Sequence, residues 1–333
     1  VDGHLAGVGA VVVVAMVFAY TNGFHDAANA IATSVSTRAL GMRSALALAA
    51  AGNLAGSFLG AKVAKTIGAG IVDLQAGRTG LVVLAAGLLG AIGWNLLTWR
   101  FGLPSSSSHA LIGGLVGATL PTAGVVLWDG IGEQVLLPMI VSPVVGFVLG
   151  FAVMVAILWI FRHKAPHRLN RGFRIAQTCS AAAMALGHGM QDAAKVMGVV
   201  VLALVIGGYQ RDWDIPLWVY LSTSAVLAAG TYTGGRRIIA TLGRKVIHLG
   251  PPEGFAAEVT ASSVLYVAAI GLGAPISTTH TITAAIMGVG TTRRLSAVRW
   301  GTATDIVAGW VFTLPAAGVT GLALYYVLAA VFL

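Results

Sequence analysis

Two aspartates set in apolar sequence restrict what this 333-residue chain can fold into more than any other feature. Asp26 sits in Gly23-Phe24-His25-Asp26-Ala27-Ala28-Asn29-Ala30, directly after the apolar run Leu5–Tyr20. Asp192 sits in Gly189-Met190-Gln191-Asp192-Ala193-Ala194-Lys195-Val196, directly before the run Val199–Ile206. A carboxylate at membrane depth costs roughly 2.5–3.5 kcal/mol even on lenient insertion scales. Two of them in matching contexts imply a polar, ion-handling site inside a bilayer. Composition points the same way, with 57% hydrophobic and only 9% charged residues, where soluble domains carry about 25% charged. The 44 glycines suit helices that approach closely in lipid.

A membrane span needs about 20 predominantly apolar residues. Expected spans are 5–22, 26–40, 44–62, 79–99 and 134–161 in the first half, then 173–190, 193–208, 216–235, 255–273 and 300–332. Two pieces, 105–118 and 276–289, are too short to cross alone and read as re-entrant. The single cysteine, Cys179, excludes an intrachain disulfide and lies in an apolar run, where a core position is expected. The N-terminal stretch lacks the basic region of a cleavable signal. The net charge of +9 does not call for nucleic acid, because the basic residues cluster in loops between spans. Trp159, Trp213, Trp218, Tyr325 and Tyr326 read as interface anchors.

The halves are copies. Asp26 matches Asp192, Gly60–Gly68 matches Gly235–Gly243, Pro104–His109 matches Pro275–His280, and Ser142–Gly146 matches Leu314–Gly318. Four anchors in the same order indicate duplication, with a first repeat at 1–161, a short basic loop at 162–172 and a second repeat at 173–333. Five full spans and one re-entrant piece per half is an odd number of crossings, so the second copy is expected to be inverted. The fold class read here is an all-α polytopic membrane protein with ten to twelve transmembrane helices and two re-entrant hairpins. Sorting basic residues by these spans puts twelve beside the central loop, among them Arg78, Arg162, Arg174 and Arg299. Seven fall on the other side, among them Arg38, Arg237 and Arg244. That places the central loop in the cytoplasm and both termini outside, with the basic stretch 236–245 in conflict.

The short pieces carry the chemistry. Pro104 and Pro275 suit the first position of a helix, and Ser105, Ser106, Ser107 and Ser108 in one copy, Ser277, Thr278 and Thr279 in the other, follow at its N-terminus. Hydroxyls, free N–H groups and the positive helix end together make an anion site. His109 and His280 close the two stretches and read as hydrogen-bonded supports. His25 and His188 flank the Asp motifs, and such residues can carry protons near neutral pH. Asp26 and Asn29, three apart, share a helix face and can hold a small cation or bond a substrate. In the twin these become Asp192 and Lys195, whose ammonium can stand in for a bound cation or pair with an oxyanion. With all three charges present the pocket carries one net negative charge. A lone oxyanion is repelled there at low dielectric, so it binds only when protons or cations accompany it, which is a route to symport. Glu258 is a further candidate for the pathway, and Asp305 reads as structural.

At these residues the sequence resembles the inorganic phosphate transporter (PiT) family, whose members carry a duplicated motif close to Gly-Ala-Asn-Asp-Val-Ala-Asn-Ala and duplicated Pro-x-Ser-x-Thr-His tips. Gly23–Ala30 and Gly189–Val196 stand for the first pair, and Pro104–His109 and Pro275–His280 for the second. The resemblance implies an inverted-repeat symporter of inorganic phosphate at the plasma membrane, with substrate between the tips and the Asp-bearing helices. It implies coupling cations at the Asp and Asn positions, so His25, Asp26, Asn29, Gln191 and Asp192 are the expected coupling residues. Here His25 and Gln191 replace the family Asn before each Asp, and Lys195 replaces a second Asn. That version looks like the bacterial low-affinity, proton-coupled branch, which carries phosphate partly as a neutral complex with a metal such as Mg2+. No cofactor is expected, sodium is the alternative coupling ion, and a homodimer is allowed. The rivals are a sulfate permease on the same scaffold, an intramembrane aspartyl protease using Asp26 and Asp192, and a divalent-metal carrier using the motif histidines.

Overall fold

The computed structural model describes residues 3–333. Nearly all of it is helical. Helices α1 (Gly3–Ser36), α2 (Met42–Ser57), α3 (Ala61–Gly70), α4 (Arg78–Phe101), α5 (Ser107–Thr119), α6 (Trp128–Ile131) and α7 (Leu137–Ile160) precede the central turn. Helices α8 (Pro166–Ile206), α9 (Leu217–Thr233), α10 (Arg236–Ala240), α11 (Pro251–Tyr266), α12 (Thr278–Thr291) and α13 (Trp300–Phe332) follow it. Single π-helical stretches continue α6, α10 and α11 at Gly132–Leu136, Thr241–Lys245 and Val267–Leu272.

Both Asp motifs lie inside unbroken helices. The sequence suggested separate spans on either side of residues 23–25 and 191–192. Instead α1 and α8 run straight through, roughly 50 and 60 Å long at 1.5 Å per residue. Neither motif contains a proline, and an α-helix satisfies its own backbone in lipid, so a polar stretch alone gives no reason to break. Among the described residues, six helices are long and apolar enough to cross a membrane, or seven if α2 and α3, bent by 70°, count as one span. The expected loop 162–172 shrinks as well, because Ala165 is extended and Pro166 opens α8 at a position where its missing N–H costs nothing.

Two helical hairpins meet near the middle. The first is α4 and α5, which begin and end side by side because strand β1 (Val72–Asp73) pairs with β2 (Val125–Val126). The second is α11 and α12, tied at its open end by an ion pair between Glu253 and Arg293. Each short piece is thus one arm of a helical hairpin and does not stand alone. Gly102 closes α4 in the left-handed conformation (φ 66) and lets the chain double back. Gly273 does the same after α11 (φ 64). Pro104 and Pro275 do not open the short helices as expected. Ser106 and Ser277 take the N-cap, accepting from the N–H of His109 (3.3 Å) and His280 (3.1 Å), and each proline lies two residues earlier in the extended lead-in. A serine oxygen satisfies an orphan helix donor, which proline cannot do.

Helix α5 packs on α13 and α12 on α7; likewise α2 packs on α8 and α1 on α9. Every one of these contacts has its counterpart with the halves exchanged. Glycines make them close. A Cβ on Gly117 would collide with the Gly318 carbonyl, and one on Gly288 with the Phe147 carbonyl. Gly288→Val should therefore force α12 off α7 and destabilise the protein by about 1–3 kcal/mol, read as a lower unfolding midpoint in detergent. An unchanged midpoint would show that the interface yields freely.

The outer faces of α7 and α13 expose Val144, Val148, Phe151, Val311, Phe312 and Val319, a surface suited to lipid. Trp159, Trp218 and Tyr326 are exposed. Trp213 instead packs on Gly68, and Tyr325 is buried. Cys179, expected in the core, is exposed.

The unbroken α1 also corrects the sorting of charges. Arg38, at the end of α1, lines one cavity with Arg174 and Arg244, and Arg299 donates to the Arg244 carbonyl (3.4 Å). Arg78 lies at the opposite end, in a groove shared by the start of α1 and the end of α13. Arg38 and Arg244 therefore join Arg174 and Arg299, which takes Arg244 out of the conflict that the stretch 236–245 posed, while Arg237 stays on Trp99 and the Arg100 carbonyl at the end of α4. The error came from counting one crossing too many before Arg38.

Candidate functional site

The middles of α1 and α8 come together between the two hairpin tips, where every expected site residue is buried. Ligand atoms of Asp26, His188 and Asp192 all lie within 4.8 Å of one another. Carboxylates 166 positions apart in sequence thus share one pocket.

On the first side, Asp26 Oδ2 accepts from Ser107 Oγ (2.5 Å), and Asp26 Oδ1 lies 2.7 Å from His25 Nδ1 and 3.5 Å from Thr279 Oγ1. The other ring nitrogen of His25 lies 3.0 Å from Thr98 Oγ1 and 3.4 Å from Ser105 Oγ. Ser105 donates to Thr98 (2.9 Å), so it braces His25 and does not reach the carboxylates. Asn29 Nδ2 donates to Thr278 Oγ1 (3.1 Å) and Thr279 Oγ1 (2.8 Å), while its Oδ1 carries no hydrogen bond. One residue each from α1, the α5 tip and the α12 tip therefore meets Asp26.

On the second side, Lys195 Nζ donates to Asp192 Oδ1 (3.0 Å), to the Ile276 carbonyl (3.3 Å) and to Ser108 Oγ. His188 Nε2 lies 3.0 Å from Asp192 Oδ2, but the angle between them leaves both atoms without a hydrogen bond. The pair is close and not aligned. His188 Nδ1 lies 3.0 Å from Asn53 Oδ1, and Asn53 is held in turn by Thr231 (2.8 Å). Each Asp thus has a histidine beside it, and Asp26 takes the Ser107 hydroxyl of the α5 tip where Asp192 takes the Lys195 ammonium of its own helix.

Five expected residues work differently from their sequence reading. Gln191 does not face the carboxylates: its amide clamps the α12 tip, donating to the Ala274 carbonyl (3.2 Å) and accepting from Ile276 N–H (3.2 Å). Ser106 and Ser277 are committed to the two N-caps. His109 and His280 hold the tips together by ring contact, edge to face at 4.8 Å, where hydrogen bonds were expected. His280 also stacks on Trp310 at 4.0 Å, and the indole of Trp310 donates to the Pro104 carbonyl (3.0 Å).

Thr98 and Asn53, which no motif marks, orient the two histidines. Glu258, a secondary candidate in the sequence, is fully buried. It accepts from Thr33 (2.6 Å), Ser34 (2.5 Å), Gln177 (3.3 Å) and Ser180. Its ion pairs are none among the described residues. Thr33 stands one turn beyond Asn29 on α1, so a file of polar groups runs from Asp26 towards the central-turn end. Asp305 is exposed on α13, outside this file.

The sequence model of the phosphate transporter family matches residues 22–321, which carry the Asp motifs, the hairpins and the α13 contact. The chain belongs to the phosphate transporter family. A protein of Rhizobium meliloti (strain 1021) described as a probable low-affinity inorganic phosphate transporter is 46% identical over 322 residues, covering 95% of this chain and 94% of that protein. One of the same description from Bacillus subtilis (strain 168) is 41% identical over 324 residues, covering 97% of each. A solved structure called the sodium-dependent phosphate transporter has the same fold, with a TM-score of 0.90 at 23% identity over 98% of this chain and 100% of that one. As a member of a transporter family built from membrane-crossing helices, the chain is a multi-pass membrane protein and its function is transport, which sets the protease reading aside.

Proposed function

We propose that this chain imports inorganic phosphate by symport with protons. The observation that carries the proposal is the approach of Asp26, Asp192 and His188 to within 4.8 Å in a buried pocket, between two tips rich in hydroxyls. Two carboxylates and Lys195 leave one net negative charge, so a phosphate oxyanion meets repulsion that low dielectric magnifies. Protons arriving with it remove that repulsion, and each ligand then strengthens the other.

Every hydroxyl that would bind the anion is held by the site's own groups: Ser107 by Asp26, Thr278 and Thr279 by Asn29, Ser108 by Lys195. Phosphate entering between the tips takes over these bonds, with Lys195 as its cationic partner. Asn29 Oδ1 and Asp192 Oδ2 are buried acceptors with no donor. A protonated phosphate supplies one and sulfate does not, which favours phosphate, since a buried acceptor left unpaired costs about 1–3 kcal/mol. His25, bridging Asp26 and Thr98, has a neighbour for a proton on each ring nitrogen and serves as the proton carrier.

Sodium is the second reading for the coupling ion. Lys195 disfavours it on the Asp192 side, because its ammonium already takes the oxygen shell of Asp192, Ser108 and Ile276 that a cation would use. A divalent cation carried as metal-phosphate would find two carboxylates and an imidazole in Asp26, Asp192 and His188. The two halves are read as inverted repeats, with hairpins entering from opposite ends. The basic end that holds the central turn is assigned to the cytoplasm and the two chain termini to the outside.

The test is uptake of labelled phosphate by the purified chain in liposomes, with unlabelled sulfate as competitor. Saturable uptake that sulfate leaves unchanged is expected. Equal competition by sulfate would transfer the assignment to a general oxyanion permease.

A further inference from the structure

The polar file that leaves the Asp pair opens, at the central-turn end, into a basic cavity that the site itself does not use. Its volume is about 530 Å³, and Arg38, Arg174, Arg244 and His248 line it beside Ser36 and Thr37. The three guanidinium groups come from three separate elements: the turn after α1, the early part of α8 and the π-helical stretch after α10. Among the described residues no carboxylate lines the cavity, and the nearby Glu253 is taken by Arg293 in the adjoining groove.

Two observations tie this cavity to transport. Arg38 is the only non-glycine residue with positive φ (58°) among the described residues, and it closes α1 while Ala39 and Leu40 donate to the Ser34 carbonyl. Glycine or asparagine takes such a position at lower conformational cost, so the arginine serves through its side chain. The floor of the cavity is Thr37, which donates to Gln177 (2.7 Å); Gln177 in turn donates to Glu258, which Thr33 and Ser34 also reach. Hydrogen-bonded polar groups therefore lead from the cavity to Thr33, which stands one helical turn from Asn29 on α1.

We propose that this cavity is an outer oxyanion site, which captures inorganic phosphate at the central-turn end of the path before or after its passage past Asp26 and Asp192. The proposal rests on the phosphate-transport reading above. A cleft lined by one sign of charge focuses the field and raises the local concentration of counter-ions, and guanidinium forks match phosphoryl oxygens. An anion held there is kept within reach of an inner pocket that admits it only with protons. A phospholipid headgroup carries the same phosphoryl chemistry, so the test must separate the two sources.

The test uses the full chain and a triple variant carrying Arg38→Gln, Arg174→Gln and Arg244→Gln. Both are reconstituted in phosphatidylcholine vesicles, with and without phosphatidylglycerol, and sorted by orientation on a C-terminal tag. The half-saturating phosphate concentration is measured from each end. In neutral lipid it should rise about tenfold or more when phosphate enters from the Arg38 end, and by less than about twofold from the other. Unchanged values at both ends, with transport intact, would overturn the outer site. A defect seen only with phosphatidylglycerol would assign the cavity to lipid and overturn it for free phosphate. Failure of the wild-type chain to carry phosphate would overturn the transport reading and this proposal with it. Arg38→Gly separates folding from capture: it should raise the unfolding midpoint while weakening phosphate capture. A lower midpoint with normal capture would show that Arg38 is kept for the fold.

Discussion

Gradient-driven phosphate uptake should disappear in Asp26→Asn and in Asp192→Asn, with each variant still inserted and folded. Both carboxylates are buried and bonded to charged or hydroxyl partners, and breaking such a pair costs about 3–5 kcal/mol. At 1.4 kcal/mol per tenfold, that is about two to three and a half orders of magnitude in apparent affinity. The two losses have different causes. Asp26→Asn removes the acid that His25 and Ser107 address, and with it the negative charge that draws a proton in alongside the anion. Asp192→Asn leaves Lys195 with neutral partners alone, an amide oxygen, the Ser108 hydroxyl and the Ile276 carbonyl, so the charge of a buried ammonium goes uncompensated. Initial uptake rates normalised to protein in the membrane decide the matter. Activity within about tenfold of wild type would remove that aspartate from the transport cycle.

Lys195→Asn should change the coupling ion, flattening the response to a pH gradient and introducing a response to sodium. In this chain the ammonium sits among Asp192 Oδ1, Ser108 Oγ and the Ile276 carbonyl. Hard cations prefer such all-oxygen surroundings. Asparagine would clear the position and add a carbonyl oxygen, restoring on the second side the residue type that Asn29 supplies on the first. Parallel uptake assays with imposed pH and sodium gradients measure the shift. Unchanged coupling would make Lys195 a structural counter-ion to Asp192.

How much of this was legible in the sequence follows from what each signal encodes. The duplicated Asp motifs and Ser/Thr tips are local patterns whose chemistry is unsuited to lipid, so they pointed to one buried site, and the pocket does hold Asp26, Asp192, Asn29, Lys195, Ser107, Ser108, Thr278 and Thr279 together. The apolar runs gave an all-α membrane protein. Helix continuity was not legible: hydropathy falls at 23–26 and at 191–195, and nothing in the composition tells a helix that carries a polar turn from a loop. From that one miss came the extra spans and the misplaced Arg38. Proline misled in a similar way, since both the first helical position and an extended lead-in accept it, and only the Ser106 and Ser277 caps decide between them. Thr98, Asn53 and the donors around Glu258 could not be found from spacing, because their partners lie on other helices. Gln191 shows the reverse limit, a motif position whose side chain turned to the backbone of the neighbouring hairpin.

Liposomes containing only this protein, given a pH gradient or a sodium gradient in turn, provide the decisive reading of labelled phosphate accumulation. Accumulation above equilibrium under an inward proton gradient, and none under sodium alone, is what a negative pocket holding Lys195 requires. Equal accumulation with no cation gradient at all would mean that the two carboxylates do not exclude an unaccompanied anion, and the coupling scheme built on them would fall.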